Sequence, residues 1–281
     1  KQPFDANNDN FSEMPALTNN SFGLNSFFNL DENQQLEANF SSTHEYRYGG
    51  EQIDGPAYKA RQSEERTHDI LMGGVDYEYT SEDYNTTFAL FSAGQYTKRQ
   101  HFTGIAPDER PELQDYNNNP PYGNSKNYTL QFGGQLNQTI KDFISGTNIL
   151  TLGTEYKIDD VFDKIEAYDY LIDQNAKNLG VFLQSDWSVS RKVTLLSGLR
   201  ADKHNFVDHL ILNPRISFLY KPDINTQLRL SWSTGFRAPQ AFDADMHIAF
   251  AGGGIQTIEL SDDLKEERSQ SLSGSINWDK P

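Results

Sequence analysis

Three groups of residues have the types and spacing that chemistry needs. In Asp5-Ala6-Asn7-Asn8-Asp9-Asn10-Phe11-Ser12-Glu13, oxygen-bearing side chains stand two residues apart at 5, 7 and 9, with another at 13. Asp5, Asn7 and Asp9, with the Phe11 carbonyl and the Glu13 carboxylate, have the spacing of the first part of a calcium loop, since Ca2+ takes hard oxygen ligands. Asn10 stands at the sharp turn, and asparagine tolerates the left-handed conformation needed there. The alternative is a solvated acidic loop. A second group, Arg237, Asp243, Asp245 and His247, gathers where an alternating run ends. Tyr58, His101, Tyr116 and Tyr122, set among asparagines, make a third, and tyrosine with asparagine is an adaptable contact set. The alternative for these segments is simple loop solubility.

Other chemistry is excluded. The chain has no cysteine, so thiol catalysis, thiolate metal sites and disulfide scaffolds are out. No Ser-His-Asp spacing, histidine cluster or distinctive carboxylate pair appears, so an enzyme is not expected. A formal net charge of −16 argues against nucleic acid, because phosphate binding needs clustered Lys and Arg. No apolar run is long enough for a transmembrane helix.

The elements that must position these groups have a period of two. Leu228, Leu230, Trp232, Thr234 and Phe236 alternate with Arg229, Ser231, Ser233 and Arg237. The same holds for Leu36 to Tyr48, Tyr128 to Leu136, Leu179 to Trp187 and Leu272 to Trp278. Such alternation predicts strands with one apolar face. About eleven are expected, near 21–30, 35–48, 67–80, 84–99, 126–140, 147–160, 177–189, 192–206, 210–221, 225–237 and 268–279. They exceed the usual ~5–6 residues of a soluble sandwich strand and reach the ~9–11 that a tilted strand needs to cross a bilayer.

Short connections (31–34, 81–83, 141–146, 190–191, 222–224) separate long polar ones (49–66, 100–125, 161–176, 238–267), with 207–209 breaking the rule. That asymmetry, and aromatics such as Tyr79, Trp187, Tyr220 and Trp278 near strand ends, suit an outer-membrane barrel. The fold class expected is an all-β transmembrane antiparallel β-barrel, over 1–281 as one segment with loops at 1–20 and 238–267. In hydrocarbon a spanning sheet must satisfy every amide, so it must close on itself.

"SWSTGFRAP" (231–239) followed by "LSDDLKEERSQS" (260–271) resembles the paired FRAP and NPDL boxes of TonB-dependent outer-membrane receptors, although the second box lacks its prolines. "HEYRYGG" (44–50) and "ADKHNFVDHLILNPRISFLY" (201–220) resemble segments of such receptors from Bacteroides-type bacteria. The resemblance implies a barrel of about 22 strands holding a plug, of which this chain supplies about 11–12 strands and no plug. It also implies the outer membrane of a Gram-negative bacterium, its lipid, a TonB energy-coupling protein acting through the plug, and active uptake of a scarce metal chelate. That ligand is a ferric siderophore, haem or cobalamin, so it carries iron or cobalt; no resident cofactor is required beyond the candidate calcium. On the same resemblance His247 is a candidate haem ligand, since imidazole binds haem iron axially, or a hydrated loop residue. Arg237 contacts ligand or pairs with a lumen carboxylate, and Tyr58, Tyr116 and Tyr122 belong to ligand-holding loops. Two other readings remain open: a passive porin or structural barrel, and a secreted all-β carbohydrate-binding or adhesion domain.

Overall fold

The computed structural model describes residues 3–108, 110–239, 263 and 265–279. One antiparallel sheet runs in strict chain order: β1 (Ala16–Asn29), β2 (Gln34–Gly50), β3 (Gln62–Thr80), β4 (Thr86–Ile105), β5 (Gly123–Ile140), β6 (Thr147–Ile165), β7 (Tyr170–Ser188), β8 (Val193–His204), β9 (Ile211–Tyr220), β10 (Thr226–Arg237) and β11 (Glu267–Trp278). Among the described residues β1 and β11 each pair on one side only. Such edges expose unpaired amides, which hydrocarbon cannot satisfy.

Opposed residues share a face, so the registers carry one apolar face across all eleven strands. It runs from Phe28 through Leu36, Tyr77, Leu90, Gly134, Thr154, Val181, Ala201 and Leu212, and on from Ile216 of β9 through Trp232 to Leu272. On β3 to β10 this face is uncharged over 71–79, 88–96, 128–136, 150–158, 179–187, 193–201, 212–220 and 228–236. Each window is nine residues, which at a tilt of about 40° rises roughly 23 Å, close to the apolar band of a membrane barrel. Phe132, Leu152, Leu183, Phe218 and Leu230 stand 45–56% exposed on it. A surface of this extent calls for an apolar partner, and its height suits lipid. Tyr79, Trp187, Tyr220 and Trp278 line one border, and the opposed pair Tyr96 and Tyr128 the other.

The short-turn end repeats one device. In Asp31-Glu32-Asn33, Asp83-Tyr84-Asn85 and Asp223-Ile224-Asn225, the aspartate accepts the amide of the asparagine at 2.8, 3.0 and 2.8 Å. Each asparagine carbonyl then accepts an amide from beyond the next strand: Thr80, Thr139 and Asp279. These Asx turns tie alternate hairpins together.

The other end differs from expectation. The first strand begins at Ala16, not after residue 20, because β1 pairs with β2 along its whole length. The connection expected over 161–176 shrinks to 166–169. There Ile165, Tyr170 and Ile172, with Val161 and Tyr168, form a small core on the polar face. The apolar residues have changed faces, which hides these strand ends from the alternation. Asp169, at φ +50°, makes the turn. β4 and β5 likewise extend to Ile105 and Gly123, leaving a connection that holds one helix, α1 (Arg110–Asn118).

Candidate ligand-lining face

The opposite face is polar, and its best-ordered part lies at the long-connection end. Strand register places Glu45, His68, Arg99, Ser125 and Asp163 directly opposite one another on five successive strands. Two residues further out, Arg47, Arg66, His101, Gly123, Ile165 and Tyr170 form the next row. Arg47 pairs with Glu45 and Arg66 with Glu64, each at 2.7 Å. Arg99 donates to the Ser125 hydroxyl at 3.0 Å from Nη2, and that hydroxyl donates to Asp163 Oδ1 at 2.5 Å. Asp163 is fully buried. Its Oδ2, His101 Nε2 and the Tyr170 hydroxyl are buried with no hydrogen-bond partner among the described residues.

His101 reaches this cluster only because Gly123 stands opposite it. A Cβ on Gly123 would lie 2.2 Å from His101 Nε2. Burial, then the nearby Arg99, hold His68 below the ordinary histidine range. Burial also pushes the Tyr170 phenol up to about 12, Asp163 acting in the same direction.

A second network lies within the membrane span on the same face. Arg200 donates from Nε to both oxygens of buried Asp202, at 2.9 and 3.0 Å, and from Nη2 to Glu155 at 3.2 Å. Asn178 adds a bond to Asp202 at 2.9 Å. Gly180 is the floor, since a Cβ there would meet Arg200 Nη2 at 2.1 Å. A cavity of about 570 Å3 opens beside it, lined in part by Gln135, Glu155, Gln184, Arg200, Arg215 and Ser233. This wall offers fixed charge and amide groups to a polar ligand or to a protein plug. No residue type alone marks it in the sequence; the polar half of the alternation is the signal that could have found it.

The three tyrosines of the loops come together, but on the other face. Tyr58 packs edge-on to Tyr116 and Tyr122, with centroids 6.2 Å apart in each case, and Tyr122 lies 5.3 Å from Phe102. Phe102 is opposed to Glu65, which is itself opposed to Tyr48, and it continues the apolar face of β4 beyond Tyr96. Tyr122 and Tyr46 both donate to Glu65, at 3.0 and 2.9 Å. Burial, then Glu65, hold the Tyr122 phenol well above its usual range, and burial pushes Tyr116 up to about 12. These rings therefore clamp two connections onto the outward side of the wall; they do not line its polar face.

The segment read as a calcium loop is a self-capped turn. Asp5 accepts the amides of Asn8 and Asn10 at 2.7 and 2.9 Å, and Asp9 accepts that of Phe11 at 2.8 Å. Asn7 accepts the Asp9 amide at 3.0 Å, and Glu13 that of Ala6 at 2.7 Å. Asn8 and Asn10 take the left-handed conformation, φ +60° and +72°. These are Asx-turn bonds, and among the described residues no group of three or more His, Asp or Glu alone is placed to hold a metal. The Phe11 ring instead lies under Arg61, 5.4 Å from its guanidinium.

Arg237 ends β10 on the polar face, opposite Glu267. Pro239 follows, and Phe236 packs against Val207, Ile211 and Ala238. His247, with Asp243 and Asp245, lies outside the described residues. The sequence reading missed His209, whose Nε2 lies 3.0 Å from Glu266 Oε1, tying the β8–β9 connection to the start of β11.

The family model described as TonB dependent receptor-like, beta-barrel, matches residues 4–281. Among solved structures, the siderophore receptor PirA from Acinetobacter baumannii superposes with a TM-score of 0.68 at 15% identity, over 95% of this chain and 41% of that one. A mutant of the ferric enterobactin receptor PfeA from Pseudomonas aeruginosa, in complex with enterobactin, gives 0.71 at 13%, over 95% and 41%. The RagAB peptide transporter gives 0.64 at 12%, over 94% and 38%. The chain thus spans about two fifths of each of these structures. No curated protein matches.

Proposed function

Because this chain belongs to the family of TonB-dependent receptor β-barrels, which are outer-membrane proteins of Gram-negative bacteria, we propose that it is wall of an active uptake receptor for a metal chelate, in the first instance a ferric siderophore. The whole receptor includes a plug engaged by a TonB energy-coupling protein. The observation that carries the reading is the pair of opposed rows at the long-connection end. They present Arg47, Arg66, Arg99, His68 and His101 on the polar face, above the span. Long connections mark the outside of such barrels, so these arginines and imidazoles meet an incoming ligand first. Chelates that hold iron through anionic oxygens suit the arginines. The neighbours named as siderophore receptors support this choice; the peptide transporter of the same fold is the reason the ligand needs a direct test.

Growth of a deletion strain on ferric siderophore, haem or cobalamin as the sole iron or cobalamin source makes that test. Restoration by the intact gene on siderophore, abolished by a protonophore, is the expected result. Uptake that survives the protonophore would assign a passive porin instead. Rescue on haem alone would move attention to His247.

A further inference from the structure

We propose that Lys98 and Lys126 form a binding site for the headgroup phosphate of an outer-leaflet lipid. Tyr96 and Tyr128 are the outermost members of the apolar windows on β4 and β5 and stand directly opposite each other, 38% and 44% exposed. Two residues beyond them, on the same outward face, Lys98 and Lys126 are likewise directly opposed and exposed. That position is the headgroup level of the leaflet on the long-connection side.

Opposed side chains on an antiparallel pair begin only about 5 Å apart, and like charges there destabilise the sheet. Two carboxylates stand nearby, each also bonded to another side chain. Asp69, opposite Lys98 on β3, holds His44 Nδ1 at 2.7 Å. The position opposite Lys126 on β6 is Phe162. Asp160, the next outward-facing residue of β6 toward the band, accepts from Asn175 at 3.1 Å. Neither lysine has an ion pair among the described residues. In a chain of net charge −16, two directly opposed lysines without an ion pair among the described residues are a local feature. Gln100 and Asn124, opposed one step further out, add amide donors. A phosphate bridging the two lysines relieves their repulsion, while the acyl chains below it lie along the band under Tyr96 and Tyr128. That apolar support favours a lipid over free phosphate. The site follows from the membrane placement of the barrel and is independent of the transported ligand.

The test uses the complete receptor, purified, delipidated and returned to mixed micelles with lipid A, with retained lipid read by native mass spectrometry. Wild type should retain lipid A, and the Lys98→Gln/Lys126→Gln variant should bind it about thirtyfold more weakly, at the usual worth of two surface cations. The Lys98→Arg/Lys126→Arg variant should keep it. Equal retention by the glutamine variant would overturn the site. Displacement of the lipid by millimolar inorganic phosphate would overturn the lipid assignment. Chelate uptake by the glutamine variant should stay at the wild-type rate, which separates this site from the proposed transport function.

Discussion

His101 Nε2 lies 3.6 Å from Asp163 Oδ1, across Gly123. Strand β4 thereby reaches β6 over the top of β5, and the polar face gains a link that backbone pairing does not provide. Gly123→Ala should displace the imidazole and destabilise the barrel by about 1–3 kcal/mol, the usual cost of overpacking. In a His101→Ala background the same change should cost much less. Heat-modifiability on gels, measured for the four proteins of the cycle, tests the coupling; additive effects would remove it.

Arg200 should matter more through what it leaves behind than through its own charge. Arg200→Ala strands the buried Asp202 carboxylate, and breaking a buried pair costs about 3–5 kcal/mol, less here because the guanidinium is 30% exposed. The double variant Arg200→Ala/Asp202→Asn should recover a large part of that loss. Urea unfolding in detergent or bilayer gives both values.

The pH dependence follows from His68. Burial and Arg99 keep its folded pKa below the ordinary value of 6.5, with Arg66 and Arg47 acting alike and Glu45 opposing them. As pH falls through about 6.5 the unfolded chain takes up the proton first, so stability declines until the folded imidazole also protonates. His68→Gln should flatten stability against pH below 6.5. An unchanged slope would assign the effect to another group.

Tyr122→Phe removes the donor to Glu65 on the outward face. The expected cost is about 1 kcal/mol, the net worth of one such bond, with faster proteolysis between β4 and β5. Ligand affinity should be unchanged, because the ring lies off the polar face. A large fall in affinity would restore Tyr122 to the ligand site.

Strand identity and the lipid-facing residues were legible because a period of two is a local property, as Leu228 to Phe236 shows. The ends of β6 and β7 were not. Val161, Ile165 and Ile172 place apolar side chains on the polar face, where they pack on one another and erase the contrast between faces. In the turns, the Asp-x-Asn repeats were present in the sequence, but their bonds to Thr80 and Thr139 depend on strands far along the chain.

The sequence by itself determined that alternate residues meet lipid and lumen, because side-chain direction is set by the backbone of each strand. It also singled out Asn10 as a turn residue and Arg237 as the end of a strand. Only the tertiary structure decided which distant residues stand opposite one another. Register is fixed by hydrogen bonds between strands and by chain closure at the turns, so no short stretch contains it. That register set Asp163 beside His101 and Arg99, put Lys98 against Lys126, and turned Tyr122 outward onto Phe102, with Tyr58 and Tyr116 packed around it.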